Sequence, residues 1–179
     1  GPLVIEVPEG ATAGLVNDLW QRPITDLGLA GPDQGKGRRY LLLGPGQTVP
    51  QTEGFTVIRS STMNVTVALR NLETDPERAA LVVSHFRIYP FAQRDNPPAN
   101  RVVQIGSQKW SQAQPPGMAY WERLADIINR EPVQERDRIM MAMLRPLGIE
   151  KGRPFQPDAR QKKILTEAAL VGEAMAKAN

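Results

Sequence analysis

The chain of 179 residues contains no cysteine. That excludes a disulfide, a thiolate nucleophile and any thiolate metal ligand. There is one histidine, His85, so a metal centre would have to be built almost wholly from carboxylates, a donor set that suits calcium or magnesium rather than zinc. No acidic loop of EF-hand type occurs, and neither a metal nor a cofactor is expected. His85 follows Ser84 directly, but neighbours on a helix point about 100° apart, which rules out a nucleophile and its base. No Gly-x-Ser-x-Gly elbow is present either. Aromatic residues make up only 6% of the chain, and no basic run is longer than Arg38-Arg39 or Lys162-Lys163. A nucleic-acid partner, which calls for a basic stripe with interleaved rings, is therefore not expected. No stretch approaches the roughly 20 apolar residues of a membrane span, and no signal-peptide pattern occurs.

What is present describes a folded protein. Hydrophobic residues make up 41% of the chain, enough for one sizeable core, and the 16 prolines and 15 glycines are spread between apolar segments. The 22 cations and 19 acids are interleaved, leaving a net charge of +3, a weak bias toward anionic partners.

Period-two patterns dominate the first part. Leu3 to Val7 reads as a strand closed by Pro8-Glu9-Gly10, and Arg39 to Leu43 as another. Between them, Leu15, Leu19 and Trp20 have helix-like spacing and suggest a short helix from Gly14 to Gln21. The Val-, Thr- and Ile-rich stretch from Phe55 to Leu69 is broken by Ser60-Ser61-Thr62 and suggests a hairpin, with strands near 55–59 and 64–70. Asp75-Pro76-Glu77 opens a helix that runs to about His85. Arg87 to Pro90 and Arg101 to Ile105 are further strand candidates. Asn64-Val65-Thr66 fits the glycosylation pattern but falls inside an expected strand.

Beyond Gly117 the period becomes 3.6. Tyr120, Trp121, Leu124, Ile127 and Ile128 line a helix ended by Pro132. A second helix, 134–145, places Ile139, Met140, Met143 and Leu144 on one side. A third begins at Pro157-Asp158 and runs about 20 residues, with Ile164, Leu165, Ala168, Val171 and Met175 expected to face inward. The organisation expected is a β-rich part over 1–115 and a helical part over 116–179.

The densest local signal is Gly31 to Tyr40, with three glycines, one acid and three cations in ten residues. It is not a phosphate-binding P-loop. Ala30 stands where the first glycine belongs, Gly37 stands where the hydroxyl belongs, and a strand follows instead of a helix. Gly31, Gly35 and Gly37 are expected to supply positive φ angles. Lys36, Arg38 and Arg39, with Arg59 and Arg70 further on, are the candidate ligand-binding residues, because glycine amides beside cations form an anion nest. Arg59 would face the apolar side if the alternation of Phe55 and Val57 continued, and solvent if the strand ended there. Asp26 and Asp33 are the weak catalytic candidates, as a carboxylate pair for acid–base work. Their other reading is as turn and capping residues.

The residues that carry a family resemblance are now in hand. Leu3-Val4-Ile5-Glu6-Val7-Pro8, Gly31-Pro32-Asp33-Gln34-Gly35-Lys36-Gly37, Arg59-Ser60-Ser61-Thr62, Leu147-Gly148-Ile149 and Pro154-Phe155-Gln156-Pro157-Asp158 resemble the DUF1254 family nearly end to end. Where other members tend to have a glycine and a lysine before the tyrosine, this chain has Arg38-Arg39-Tyr40. The resemblance implies a bacterial, exported protein, periplasmic or extracellular, with an additional N-terminal part and a following DUF1214 domain. It also implies an antiparallel β-sandwich of jelly-roll type, here incomplete and followed by the three amphipathic helices, which together make an α+β protein. A partner is then expected: the DUF1214-type domain, the remainder of a longer chain, or another copy in a homo-oligomer. The family has no settled activity, so no catalytic residue carries over. The leading expectation is a binding or structural module whose basic loop holds a small anionic ligand or docks a neighbouring domain; the alternative is a carboxylate-dependent hydrolase.

Overall fold

Leu3–Glu9 (β1) is a strand because β-branched and aliphatic residues fill it, and Val4, Ile5 and Val7 are all buried. Thr12–Asp18 (β2) and Pro23–Gly28 (β3) follow, then Lys36–Leu43 (β4), Thr56–Arg59 (β5), Val65–Asn71 (β6), the helix Pro76–His85 (α1) and Arg87–Pro90 (β7). The computed structural model describes residues 1–49, 51–101, 103, 106 and 113–178. Most of the strand expected over 101–105 lies outside the described residues.

Two sheets form, ordered β5-β4-β1-β7 and β3-β2-β6. β1 lies antiparallel to β4, with Ile5 opposite Tyr40 and Glu6 opposite Arg39, and antiparallel to β7, with Glu6 opposite Arg87. Ile5, Val7, Tyr40, Leu42 and Ile58 from the four-stranded sheet meet Val16 and Leu27 from the three-stranded one in a shared core. The other face of the four-stranded sheet is also buried, by Val4, Leu41, Leu43, Tyr89 and Phe91. Burial on both faces explains why Leu41-Leu42-Leu43 is a continuous apolar run rather than an alternation. The fold is α+β, with two facing sheets that do not close into a complete sandwich.

Within the sheets, two expectations fail. The helix over 14–21 is instead β2 and the turn after it. The buried positions of β2 are Thr12, Val16 and Asp18, two of them polar, so hydrophobicity does not alternate along it. The hairpin over 55–70 is also absent, because β5 joins β4 in parallel whereas β6 pairs with β2 in the other sheet. Ser60-Ser61-Thr62 is the crossover between them. Ser60 Oγ donates to Thr62 O at 2.8 Å, and Thr62 Oγ1 accepts from Leu19 N–H at 3.1 Å. The helix α1 begins as expected, with the Asp75 carboxylate accepting from Arg78 N–H at 2.8 Å.

The chain divides into compact units at Val103/Gln104. The second unit holds Met118–Arg130 (α2), Arg138–Leu144 (α3) and Ala159–Ala178 (α4). Short 3-10 turns, Glu135–Asp137 and Arg145–Leu147, flank α3 where one continuous helix was expected. The indole Nε1–H of Trp121 donates to Leu165 O at 2.7 Å, fastening α2 to α4. Leu165 is buried, but Ile164, Ala168, Val171 and Met175 face outward, contrary to expectation; on α3, Ile139, Met140 and Met143 are exposed as well. Among the described residues, no helix is long and apolar enough to cross a membrane.

The segment after α3 closes α2. Lys151 Nζ donates to Asn129 O at 3.0 Å and to Glu131 O at 2.8 Å, and Asn129 Oδ1 accepts from Gly152 N–H at 2.7 Å. An ammonium on the carbonyls at a helix C-terminus satisfies acceptors that lack an intrahelical partner and complements the dipole. Replacing Lys151 with methionine keeps the aliphatic stem and removes the donors. The helical unit is expected to lose about 1–3 kcal/mol, read as a lower denaturation midpoint, and an unchanged midpoint would show the contact to be idle.

Candidate functional site

The segment between β3 and β4 is built from successive turns rather than a phosphate cradle. Gly31 N–H bonds Gly28 O at 2.9 Å, Gln34 N–H bonds Gly31 O at 3.0 Å, and Lys36 N–H bonds Asp33 O at 2.8 Å. Beneath them Asp33, only 1% exposed, turns its carboxylate inward. Its Oδ1 accepts from Gly28 N–H at 2.9 Å and from the Tyr40 hydroxyl at 2.6 Å. The acid thus ties the end of β3 to the middle of β4. Burial, followed by the hydrogen bond to Asp33, pushes the Tyr40 hydroxyl well above its ordinary pKa.

Gly35 and Gly37 take the positive φ expected of them, but Gly31 does not. At Gly31 the constraint is space: a Cβ there would stand 2.6 Å from Asp26 O and 2.7 Å from Asp33 Oδ1. Gly37, at φ +72°, lets β1 pass, since a Cβ on it would lie 2.7 Å from the Glu9 nitrogen.

Just past this knot is an open groove of about 560 Å³, within the first unit, between the end of β1, the start of β4 and one side of α1. Arg38 and Arg39, adjacent on a strand, leave it in opposite directions. Arg38 Nη1–H donates to Thr56 Oγ1 at 3.0 Å, and the Arg39 guanidinium stacks over the Phe55 ring at 4.4 Å. Each keeps donors to spare. His85 reaches the groove from the last turn of α1. Its Nδ1 is 2.8 Å from Leu81 O, which can only accept, so Nδ1 carries a proton and Nε2 is left open. The Ser84 hydroxyl, 3.3 Å from Nδ1, donates to the same Leu81 carbonyl, and the two side chains are not arranged as nucleophile and base.

The groove's acids are partly answered by protein cations. Glu6 Oε1 accepts from the Tyr89 hydroxyl at 2.6 Å, and Oε2 lies 3.6 Å from Arg87 Nε. Burial, then the bond to Glu6, pushes the Tyr89 pKa up to about 12. Glu9 stands directly across the strand pair from Lys36.

Of the sequence-derived binding candidates, Arg38 and Arg39 line this groove. Lys36 is exposed one strand position away, at the start of β4. Arg59 is exposed at the end of β5, its Nη1 donating to Gln47 O at 3.4 Å, and Arg70 is exposed on β6 in the other sheet. Asp26 is exposed on β3, whereas Asp33 is buried in the knot, and neither acid lines the groove. Among the described residues, no group of three or more His, Asp or Glu could hold a metal. Sequence reasoning missed Glu6, His85 and Leu81 as groove residues, because the pairing of β1 with β4 brings Glu6 to the loop's strand and the packing of α1 beside β1 brings the other two.

The strand register, the glycine-rich knot and the β1 segment all fall inside residues 1–90, and over those residues the chain matches the model of the DUF1254 family of proteins of unknown function. The chain belongs to the DUF1254 family. Its fold is similar to that in the crystal structure of the VPA0106 protein from Vibrio parahaemolyticus, with a TM-score of 0.66 at 12% sequence identity. That match covers 96% of this chain and 44% of the Vibrio chain, so this chain spans less than half the length of that relative. No curated protein matches it. The resemblance to DUF1254 is thus borne out over residues 1–90, and the Leu147–Ile149 and Pro154–Asp158 segments lie outside that match.

Proposed function

We propose that the β-rich unit of this DUF1254 chain is a binding module for a small anionic ligand, taken up in the groove beside the Gly31–Tyr40 loop. The observation that carries the reading is that Arg38, Arg39 and His85 line one groove, so that an arginine is available on either face of the strand at its edge. Guanidinium groups with unfilled donors suit carboxylate or phosphate oxygens, which they meet through paired N–H groups. Knotting Asp33 beneath the loop fixes the strand that carries both arginines, so less ordering is left to the moment of binding. In this reading the loop positions the site, and the ligand meets the strand that follows it.

Sodium benzoate is a suitable first probe. Millimolar benzoate is expected to raise the melting temperature of the wild-type chain, and the Arg38→Ala/Arg39→Ala double variant should lose that shift, with affinity falling at least about tenfold. Equal shifts in both proteins would count against the groove.

A second reading, docking of a neighbouring domain, is favoured by a different observation. Ile139, Met143, Ile164, Val171 and Met175 on α3 and α4 are each more than half exposed, which is unusual for large apolar side chains gathered on two helices. A DUF1214-type domain is the partner proposed for them.

A further inference from the structure

The composition of the groove narrows the kind of anion, on the condition that the anion reading above holds. We infer that its ligand is an organic acid with an apolar body, such as a medium-chain or aromatic carboxylate, and not a compact inorganic anion.

Three observations converge on this. The groove measures about 560 Å³, in the range of pockets that enclose whole organic ligands and far beyond the needs of one phosphate group. Its chemistry is also divided. Arg38 and Arg39 supply charge from β4, while Val7 and Pro8 of β1 and Leu81 and Val82 of α1 supply an apolar wall. Leu81 is 58% exposed while its helix neighbour Val82 is buried, so apolar surface is held open at the groove rather than withdrawn into the core. Finally, the charge count leaves little room for a polyanion. Glu6 is engaged by Tyr89 and Arg87, and Glu9 is faced by Lys36, but both carboxylates remain on the groove wall. A highly charged ligand would be repelled by them, whereas a single carboxylate pairs with one groove arginine and lays its hydrocarbon part along Leu81.

Isothermal titration with sodium octanoate, kept below its micelle-forming concentration, sodium acetate and inorganic phosphate tests this on the wild type, Leu81→Ser and Arg39→Ala chains. Leu81 is exposed, so the serine variant should fold normally, and circular dichroism verifies that. Octanoate is expected to bind the wild type at least tenfold more tightly than acetate or phosphate, Leu81→Ser to erase most of that preference, and Arg39→Ala to weaken both carboxylates. Phosphate or acetate binding as tightly as octanoate, or a Leu81→Ser chain with the preference intact, would overturn the inference while leaving the anion groove standing. Failure of all three probes to bind would remove both.

Discussion

Replacing Asp33 with alanine is expected to lower the stability of the β-rich unit by about 3–5 kcal/mol, one of the two largest effects of any single substitution considered. The carboxylate is 1% exposed and its Oδ1 is the acceptor for both Gly28 N–H and the Tyr40 hydroxyl. Alanine leaves two buried donors without a partner, and each orphaned donor costs about 1–3 kcal/mol. Asparagine keeps an acceptor oxygen in the same place and should recover a large part of the loss. Urea denaturation of D33A and D33N, followed by tryptophan fluorescence, gives the comparison. Equal midpoints for the two variants would mean that the acceptor is not what matters. The same measurement separates the two readings of this acid, since a catalytic carboxylate outside the structural framework could be removed with little change in stability.

Gly28→Ala is expected to cost more than about 3 kcal/mol and to weaken the pairing of β2 with β3. Gly28 sits at φ +73°, and a Cβ on it would lie 2.3 Å from Thr12 O and 2.6 Å from Thr12 C, both backbone atoms that no side-chain rotation can move. Gly46 makes the matched control: its φ is +70°, but nothing stands within 4 Å of a Cβ built there. Gly46→Ala therefore bears only the conformational penalty of the left-handed region, about 1 kcal/mol. The difference between the two variants isolates the clash from the dihedral. A Gly28→Ala chain as stable as Gly46→Ala would show that β2 yields more readily than its register implies.

The parts of this fold that were legible in the sequence are those where one local signal acts alone. Asp75-Pro76-Glu77 opened α1 because a capping acid and a first-turn proline act within three residues. Leu41-Leu42-Leu43 gave β4 because a strand buried on both faces cannot alternate. β2 was misread because its inward residues include Thr12 and Asp18, polar groups accommodated by burial in specific surroundings that a periodicity count cannot see. The parting of β5 and β6 was invisible for a similar reason. Ser60-Ser61-Thr62 looks like any turn, and only its bonds to Leu19 and within itself mark it as a crossover between sheets. For the site, the sequence singled out Arg38 and Arg39 by their density in one loop. Leu81 and His85 lie on α1 and Glu6 on β1, and they reach that loop's strand only through tertiary packing and cross-strand register.

The central claim, that the anion site is the groove walled by β1, β4 and α1, is tested most directly by following backbone amide shifts in an ¹⁵N-labelled sample during titration with sodium octanoate. The account predicts shifts concentrated at residues 6, 7, 9, 37–39 and 81–85, saturating together with one dissociation constant. Shifts confined to residues 113–178, or spread evenly over exposed lysines and arginines with no saturation, would contradict it.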